Sequence, residues 1–166
     1  MGDDDYEKRK LNESCAKGRT SINCWHINDE DSVKMWDSYT SSPESILVRT
    51  TVKNLQTALK MPVMGAGVKY VAEDAPKTDF GNRSLFYYKD EQYEYEKEYR
   101  LLVDLNSLEE KEIQMNLEED FYRMVPVDLE TLIIDITCHP SATPDTRRLL
   151  SMAQHEAALQ NHIKNS

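Results

Sequence analysis

The stretch Glu96–Asp104 does most to restrict what this chain can become. It opens as Glu96-Lys97-Glu98-Tyr99-Arg100 and runs on into Leu101 and Val103. Side chains alternate across a strand, so Glu96, Glu98 and Arg100 share one face while Tyr99, Leu101 and Val103 take the other. Carboxylates two residues apart then stand about 6 to 7 Å from each other, at a rise of ~3.3 Å per residue, with a guanidinium the same distance beyond. The plain expectation is a half-buried strand with a charged outer face. The sharper expectation is a site. Neighbouring carboxylates push their pKa values apart, leaving one ionised and one able to carry a proton. An arginine beside them can hold a phosphate bidentately. That division of labour suits the breaking of an N-glycosidic bond, so Glu98, Glu96 and Arg100 are the candidate catalytic residues. Glu98 is preferred because it is nearest to Arg100 and adjoins the apolar continuation.

Around this strand the periodicities predict an α+β domain. Tyr6, Leu11 and Cys15 form a weak helical stripe ending at Gly18, an N-terminal helix over 1–18. Thr20–His26 reads as a short strand. Asn28 is the expected N-cap of the next helix, with Asp29, Glu30 and Asp31 in its first turn. Ser32, Met35, Trp36 and Tyr39 then share one face at spacing i, i+3, i+4, i+7. Ile46–Thr50 predicts a strand, Thr51–Lys60 a helix, Gly65-Ala66-Gly67 a turn and Val68–Ala72 a further strand. Glu73–Arg83 is a polar loop, Phe86–Tyr99 an aromatic stretch, and Leu108–Asp120 an acidic turn or hairpin. Phe121–Val127 and Leu132–Thr137 read as the last strands. Thr143-Pro144-Asp145 starts a closing helix. The sum is a single domain over 1–166, with a mixed, largely antiparallel sheet of five to six short strands flanked by three to four helices.

Charge narrows the partners. Thirty acids against 20 bases give a net charge of −10, which argues against duplex nucleic acid, since that needs a positive field over one face. No apolar run approaches the ~18 residues of a membrane span, and no secretory pattern opens the chain. Cys15, Cys24 and Cys138 are an odd number at unrelated spacings, pointing to reduced thiols in a cytoplasm. Cys24 with His26 and Cys138 with His139 lack zinc spacing, so no metal is expected. Phosphate-loop, Rossmann, zincin and hydrolase-elbow motifs are absent. A Gly-x-Gly ahead of a strand is the wrong order for a dinucleotide loop.

The other candidate residues would bind a ligand. Trp36 and Trp25 read first as core anchors and alternatively as a flat wall for a base or nicotinamide. Tyr39 and Ser32 would fix its polar edge, and His26 would be a titrating partner. Lys89 reads as a surface ion-pair partner. Arg49, at the end of an apolar strand, needs a carboxylate or phosphate, which Glu96 or Glu98 could supply.

Cys24-Trp25-His26, then Ser32-Val33-Lys34-Met35-Trp36 with Tyr39, then Tyr87-Tyr88-Lys89 and Glu96-Lys97-Glu98-Tyr99-Arg100-Leu101, stand in an order with a parallel. It resembles the bacterial and phage-associated family catalogued as domain of unknown function 2971. Val127-Asp128-Leu129 with Leu132-Ile133 and Pro140 is similar to that family's closing strand and turn. The likeness spans roughly residues 20 to 145. It implies that an N-terminal piece of a longer family domain precedes the Cys-Trp strand. A Glu-x-Glu at a strand start is also similar to the catalytic element of ADP-ribosyltransferases, though a Ser-Thr-Ser strand is missing here. The resulting expectation is a cytoplasmic domain acting on or binding a nucleotide or NAD-like ligand in bacterial conflict or phage defence. Its polar cleft would be built by the Trp36 helix and the Glu96–Arg100 strand. If it is an enzyme, the chemistry is glycosidic-bond cleavage or ADP-ribosyl transfer, with NAD as substrate and no resident cofactor. The alternative is a non-catalytic acidic interaction module whose surface meets a basic protein partner.

Overall fold

The apolar run after Glu98 becomes the middle strand of a sheet. In the computed structural model, which describes residues 20–72, 84–104 and 124–164 (158–164 as helix backbone alone), β1 spans Thr20–His26, β3 Met64–Gly67 and β6 Glu98–Asp104. These three pair antiparallel in the order β1-β6-β3. The helix expected over 1–18, the loop Glu73–Arg83, the acidic segment Leu108–Asp120 and the start of the Phe121–Val127 strand lie outside the described residues. A central strand is covered on both faces, and β6 shows it: Tyr99, Leu101, Leu102 and Val103 are all buried. The remaining elements are α1 (Val33–Tyr39), β2 (Ile46–Arg49), α2 (Val52–Ala58), β4 (Lys69–Val71), β5 (Tyr88–Asp90), α3 (Leu129–Leu132), β7 (Asp135–Cys138) and α4 (Pro144–Lys164). Two 3₁₀ turns, Ser84–Tyr87 and Glu91–Glu96, flank β5. The fold is therefore α+β with largely antiparallel pairing. The pairing is spread over three small sheets: β1-β6-β3, the antiparallel β2-β7 and the parallel β4-β5.

The chain divides into two compact units that interleave in sequence. The first comprises Met1–Glu30 and Ala58–Asp128, the second Asp31–Thr57 and Leu129–Ser166. In the first, Gly65 lies on β3, where the Gly-Ala-Gly triplet suggested a turn. Its missing side chain is filled by Tyr99: a Cβ at Gly65 would stand 2.5 Å from the Tyr99 hydroxyl oxygen and 3.0 Å from two ring carbons. A glycine inside a strand commonly marks this kind of close approach.

In the second unit, the N-cap of α1 is Ser32 and not Asn28. Ser32 is extended at φ −108°, ψ 113°, and its hydroxyl accepts from the Met35 N–H. The Asn28 side chain instead accepts from the Asp29 N–H at 3.1 Å, an alternative hydrogen bond that keeps this short polar segment out of the helix. Of the predicted helix face only Trp36 is fully buried, at 7% exposure, while Tyr39 is 63% exposed. The Trp36 ring meets that of His139 edge-on, with centroids 5.0 Å apart and planes at 79°. The strand expected over Leu132–Thr137 divides into α3, which ends at buried Leu132, and β7, which starts at Asp135. A short apolar run cannot distinguish a strand from a buried helical turn. Thr143 caps α4 as its sequence signal indicated, with the hydroxyl accepting from the Thr146 N–H at 3.2 Å.

Two substitutions check this packing. Trp36→Ala should lower stability by about 3 to 5 kcal/mol through the cavity it leaves, and a chemical-denaturation curve overlaying the parent would refute the buried position. Gly65→Ala should cost about 1 to 3 kcal/mol by displacing the Tyr99 ring. The double variant Gly65→Ala with Tyr99→Leu should recover part of that loss in the same measurement.

Candidate functional site

Glu96 and Glu98 do meet, but not by plain strand alternation. Glu96 closes the 3₁₀ turn Glu91–Glu96, and Lys97 sits in the left-handed region at φ 41°, ψ 53°. A lysine is uncommon there, because its Cβ crowds the backbone. The kink brings both carboxylates to one ammonium: Lys89 Nζ donates to Glu96 Oε2 at 2.5 Å and to Glu98 Oε1 at 2.6 Å. Asp90 holds the turn's other end, its side chain accepting from the Gln92 N–H at 3.0 Å.

The face carrying these acids is not a solvated one. Glu96 is 3% exposed and Glu98 5%. Arg100 donates through Nε to Glu98 Oε2 at 2.7 Å and through Nη2 to Glu98 Oε1 at 3.2 Å, while Nη1 donates to the Phe86 carbonyl at 2.6 Å. Its fork is thus closed on Glu98, which removes the expected bidentate grip on a phosphate. Burial opposes the charged form of Glu98, but hydrogen bonds from Arg100, Lys89 and Cys24 outweigh it and hold this carboxyl well below the usual range. Burial likewise opposes the Lys89 charge, and its bonds to Glu96 and Glu98 more than offset that, holding the ammonium above the usual lysine range. Lys89 also lies 4.8 Å from the Tyr93 ring centroid, a cation–π contact. Lys89 is therefore part of a half-buried network and not a lone surface ion pair.

Three further groups converge on the same segment. His26 lies opposite Glu98 in the β1–β6 register, and its Nδ1–H donates to the Glu96 carbonyl at 2.6 Å. A carbonyl only accepts, so the proton sits on Nδ1. The buried Nε2 has no partner among the described residues. Cys24 lies opposite Arg100 and hydrogen-bonds Glu98. Lost hydration and that bond push its thiol pKa up, so it stays protonated at neutral pH. Tyr70 lies beside Lys89 in the parallel β4–β5 register, and its hydroxyl accepts from the Glu98 N–H at 2.7 Å. Sequence reading missed Tyr70 and Cys24 as site members. Nothing in the spacing links them to Glu98: the β1–β6 register places Cys24 beside it, and Tyr70 reaches it from a separate sheet.

The other expected ligand contacts fall elsewhere. Trp25 is half-buried on β1, its indole N–H donating to Asn23 Oδ1 at 2.6 Å. Ser32, Trp36, Tyr39 and Arg49 belong to the second unit. The Ser32 hydroxyl is engaged in capping α1. Arg49 pairs with Asp31 at 2.5 Å and with Asp135 at 4.0 Å, not with Glu96 or Glu98. Arg49 and both acids are over 40% exposed, so the pairing contributes little. Among the described residues no group of three or more His, Cys, Asp or Glu side chains is arranged to hold a metal ion. No helix there is long and apolar enough to cross a membrane. No protein-family model, curated protein or solved structure matches this chain.

The sign of the Glu98 shift fixes a pH dependence. A carboxyl whose pKa is lower in the folded state than in the unfolded one contributes stability that is complete above the ordinary value of ~4.3. That contribution is lost as pH falls through the folded value. Acid titration of the parent should therefore show a loss of stability below about pH 4. Glu98→Gln should cost about 3 to 5 kcal/mol at neutral pH, by leaving Arg100 without its partner, and should flatten the acid limb. Parallel acid limbs for parent and variant would show that Glu98 is not held ionised by these neighbours.

Proposed function

We propose that this chain binds a nucleotide or NAD-like ligand at the polar cluster of its first unit, with Glu98, Glu96, Arg100 and Lys89 forming the floor of the site. The observation that carries this reading is the convergence of two nearly fully buried glutamates on one lysine ammonium, with an arginine closing on the second glutamate. Two nearly fully buried carboxyl groups with two partly buried basic side chains beside them are expensive to withdraw from water. Well-packed apolar residues of similar volume usually give equal or greater stability. Charged groups held in such a place, with a carboxyl pKa far from its usual range, are characteristic of functional sites.

The chemistry that fits is stabilisation of positive charge. Glu98 is ionised throughout the neutral range and Arg100 and Lys89 fix its orientation, as an anion facing the oxocarbenium character of a ribose must be. Glycosidic cleavage or ADP-ribosyl transfer on NAD is the reaction class that uses such a group. The resemblance to the bacterial and phage-associated family adds a setting, a cytoplasmic protein of bacterial conflict or phage defence. A second reading, a non-catalytic acidic module for a basic protein partner, is favoured by one observation. Both Glu98 oxygens already accept from Lys89 or Arg100, so the cluster is closed upon itself.

A thermal-shift panel of NAD, nucleotides and sugars separates the two. A ligand at 100 times its Kd stabilises by about 2.7 kcal/mol, which for a chain of this size raises Tm by roughly 5 to 10 °C. The expected result is such a rise with NAD or a nucleotide that Glu98→Gln abolishes. A Tm that no member of the panel moves, with a rise on adding a basic polypeptide, would replace this reading by the interaction module.

A further inference from the structure

The cationic donors of the cluster are closed on its carboxylates, so the donor it can still offer a ligand is a neutral one. Lys89 is engaged by two carboxylates and a ring face, and Arg100 by Glu98 and the Phe86 carbonyl. Tyr70 is different. Its oxygen accepts the Glu98 N–H at 2.7 Å, which uses a lone pair and leaves the O–H proton without an acceptor among the described residues. The ring is half-buried, and Tyr70 and Lys89 are register partners on adjacent parallel strands, so their side chains leave β4 and β5 on the same side. Partial burial and the neighbouring Glu98 and Glu96 charges push the phenol's pKa up, so it keeps its proton across the neutral range.

From this geometry we infer that Tyr70 is a specificity-determining ligand contact, donating its phenolic proton to a ribose hydroxyl. The inference rests on the nucleotide reading above and sharpens it: the cluster recognises the sugar and not the phosphate. A ribose hydroxyl suits the position, because it accepts from the phenol and can donate in turn to a carboxylate. A phosphate would find Arg100 already forked onto Glu98, and would add negative charge beside two glutamates.

Calorimetric titration of the full chain tests this with adenosine monophosphate, its 2′-deoxy and 3′-deoxy forms, inorganic phosphate and NAD. Wild type should bind the ribonucleotide about three- to tenfold more tightly than one of the deoxy forms, the range of a single neutral hydrogen bond. Tyr70→Phe should remove that preference while leaving affinity for the disfavoured deoxy form unchanged. A variant that keeps the preference, or weakens all three nucleotides equally, would reduce Tyr70 to a support for the Glu98 backbone and overturn the inference. Should Tyr70→Phe not fold, wild type alone decides, since equal affinity for the three nucleotides, or binding of phosphate as tight as that of the nucleotide, also overturns it. If wild type binds neither NAD nor any of the nucleotides, the nucleotide reading itself fails. That result differs from one in which nucleotides bind without regard to the sugar hydroxyls.

Discussion

The first unit is organised around the carboxylate of Glu98 and the peptide groups on either side of it. Lys89 reaches it from β5 and Arg100 from β6 itself, and Arg100 continues to the Phe86 carbonyl of a 3₁₀ turn. Tyr70 from β4 takes its N–H, the Val68 N–H donates to its carbonyl at 2.9 Å, and His26 from β1 holds the Glu96 carbonyl two residues earlier. Short strands and 3₁₀ turns have little stability alone. A buried, charge-assisted hub gives each of them a fixed partner. It also makes the arrangement all-or-none, since removing one charge leaves another buried without compensation.

The same closure governs the chemistry. Glu98 is ionised because its donors outweigh burial, so it can serve as a permanent anion and cannot serve as a proton carrier near neutral pH. Arg100 is fixed and fully oriented, which suits the preorganisation of Glu98 more than the capture of a mobile anion. Lys97, between the two glutamates, is left-handed, and both carboxylates meet the Lys89 ammonium. Backbone strain of this sort persists where the surrounding contacts over-determine it.

Much of this was legible in the residues. The alternation from Glu98 to Val103 specified a strand, and the Thr143-Pro144-Asp145 signal fixed the start of α4, because both are local effects of side-chain period and capping. Glu98 and Arg100 could be grouped from strand spacing, whereas Glu96 joins them from the 3₁₀ turn ahead of the strand. Burial of that charged face could not be read from spacing, because it depends on β4, β5 and the 3₁₀ turns supplying Lys89, Tyr70 and the Phe86 carbonyl. Competing local signals misled in two places. Asn28 with three acids after it read as the cap and Ser32 as part of the helix face, and Gly65-Ala66-Gly67 looked like a turn until Tyr99 occupied the space over Gly65.

The sequence by itself determined the class of structure, a strand from Glu98 onward and the identity of three of the charged residues, since periodicity, capping and charge are properties of neighbours along the chain. Only the tertiary structure decided that those charges are buried, that Lys89 bridges two glutamates and that Tyr70, His26 and Cys24 join them. Partners such as Tyr70 and Glu98 are 28 residues apart. Their meeting is set by how separate sheets pack in the folded chain, a long-range choice that no local window of sequence contains.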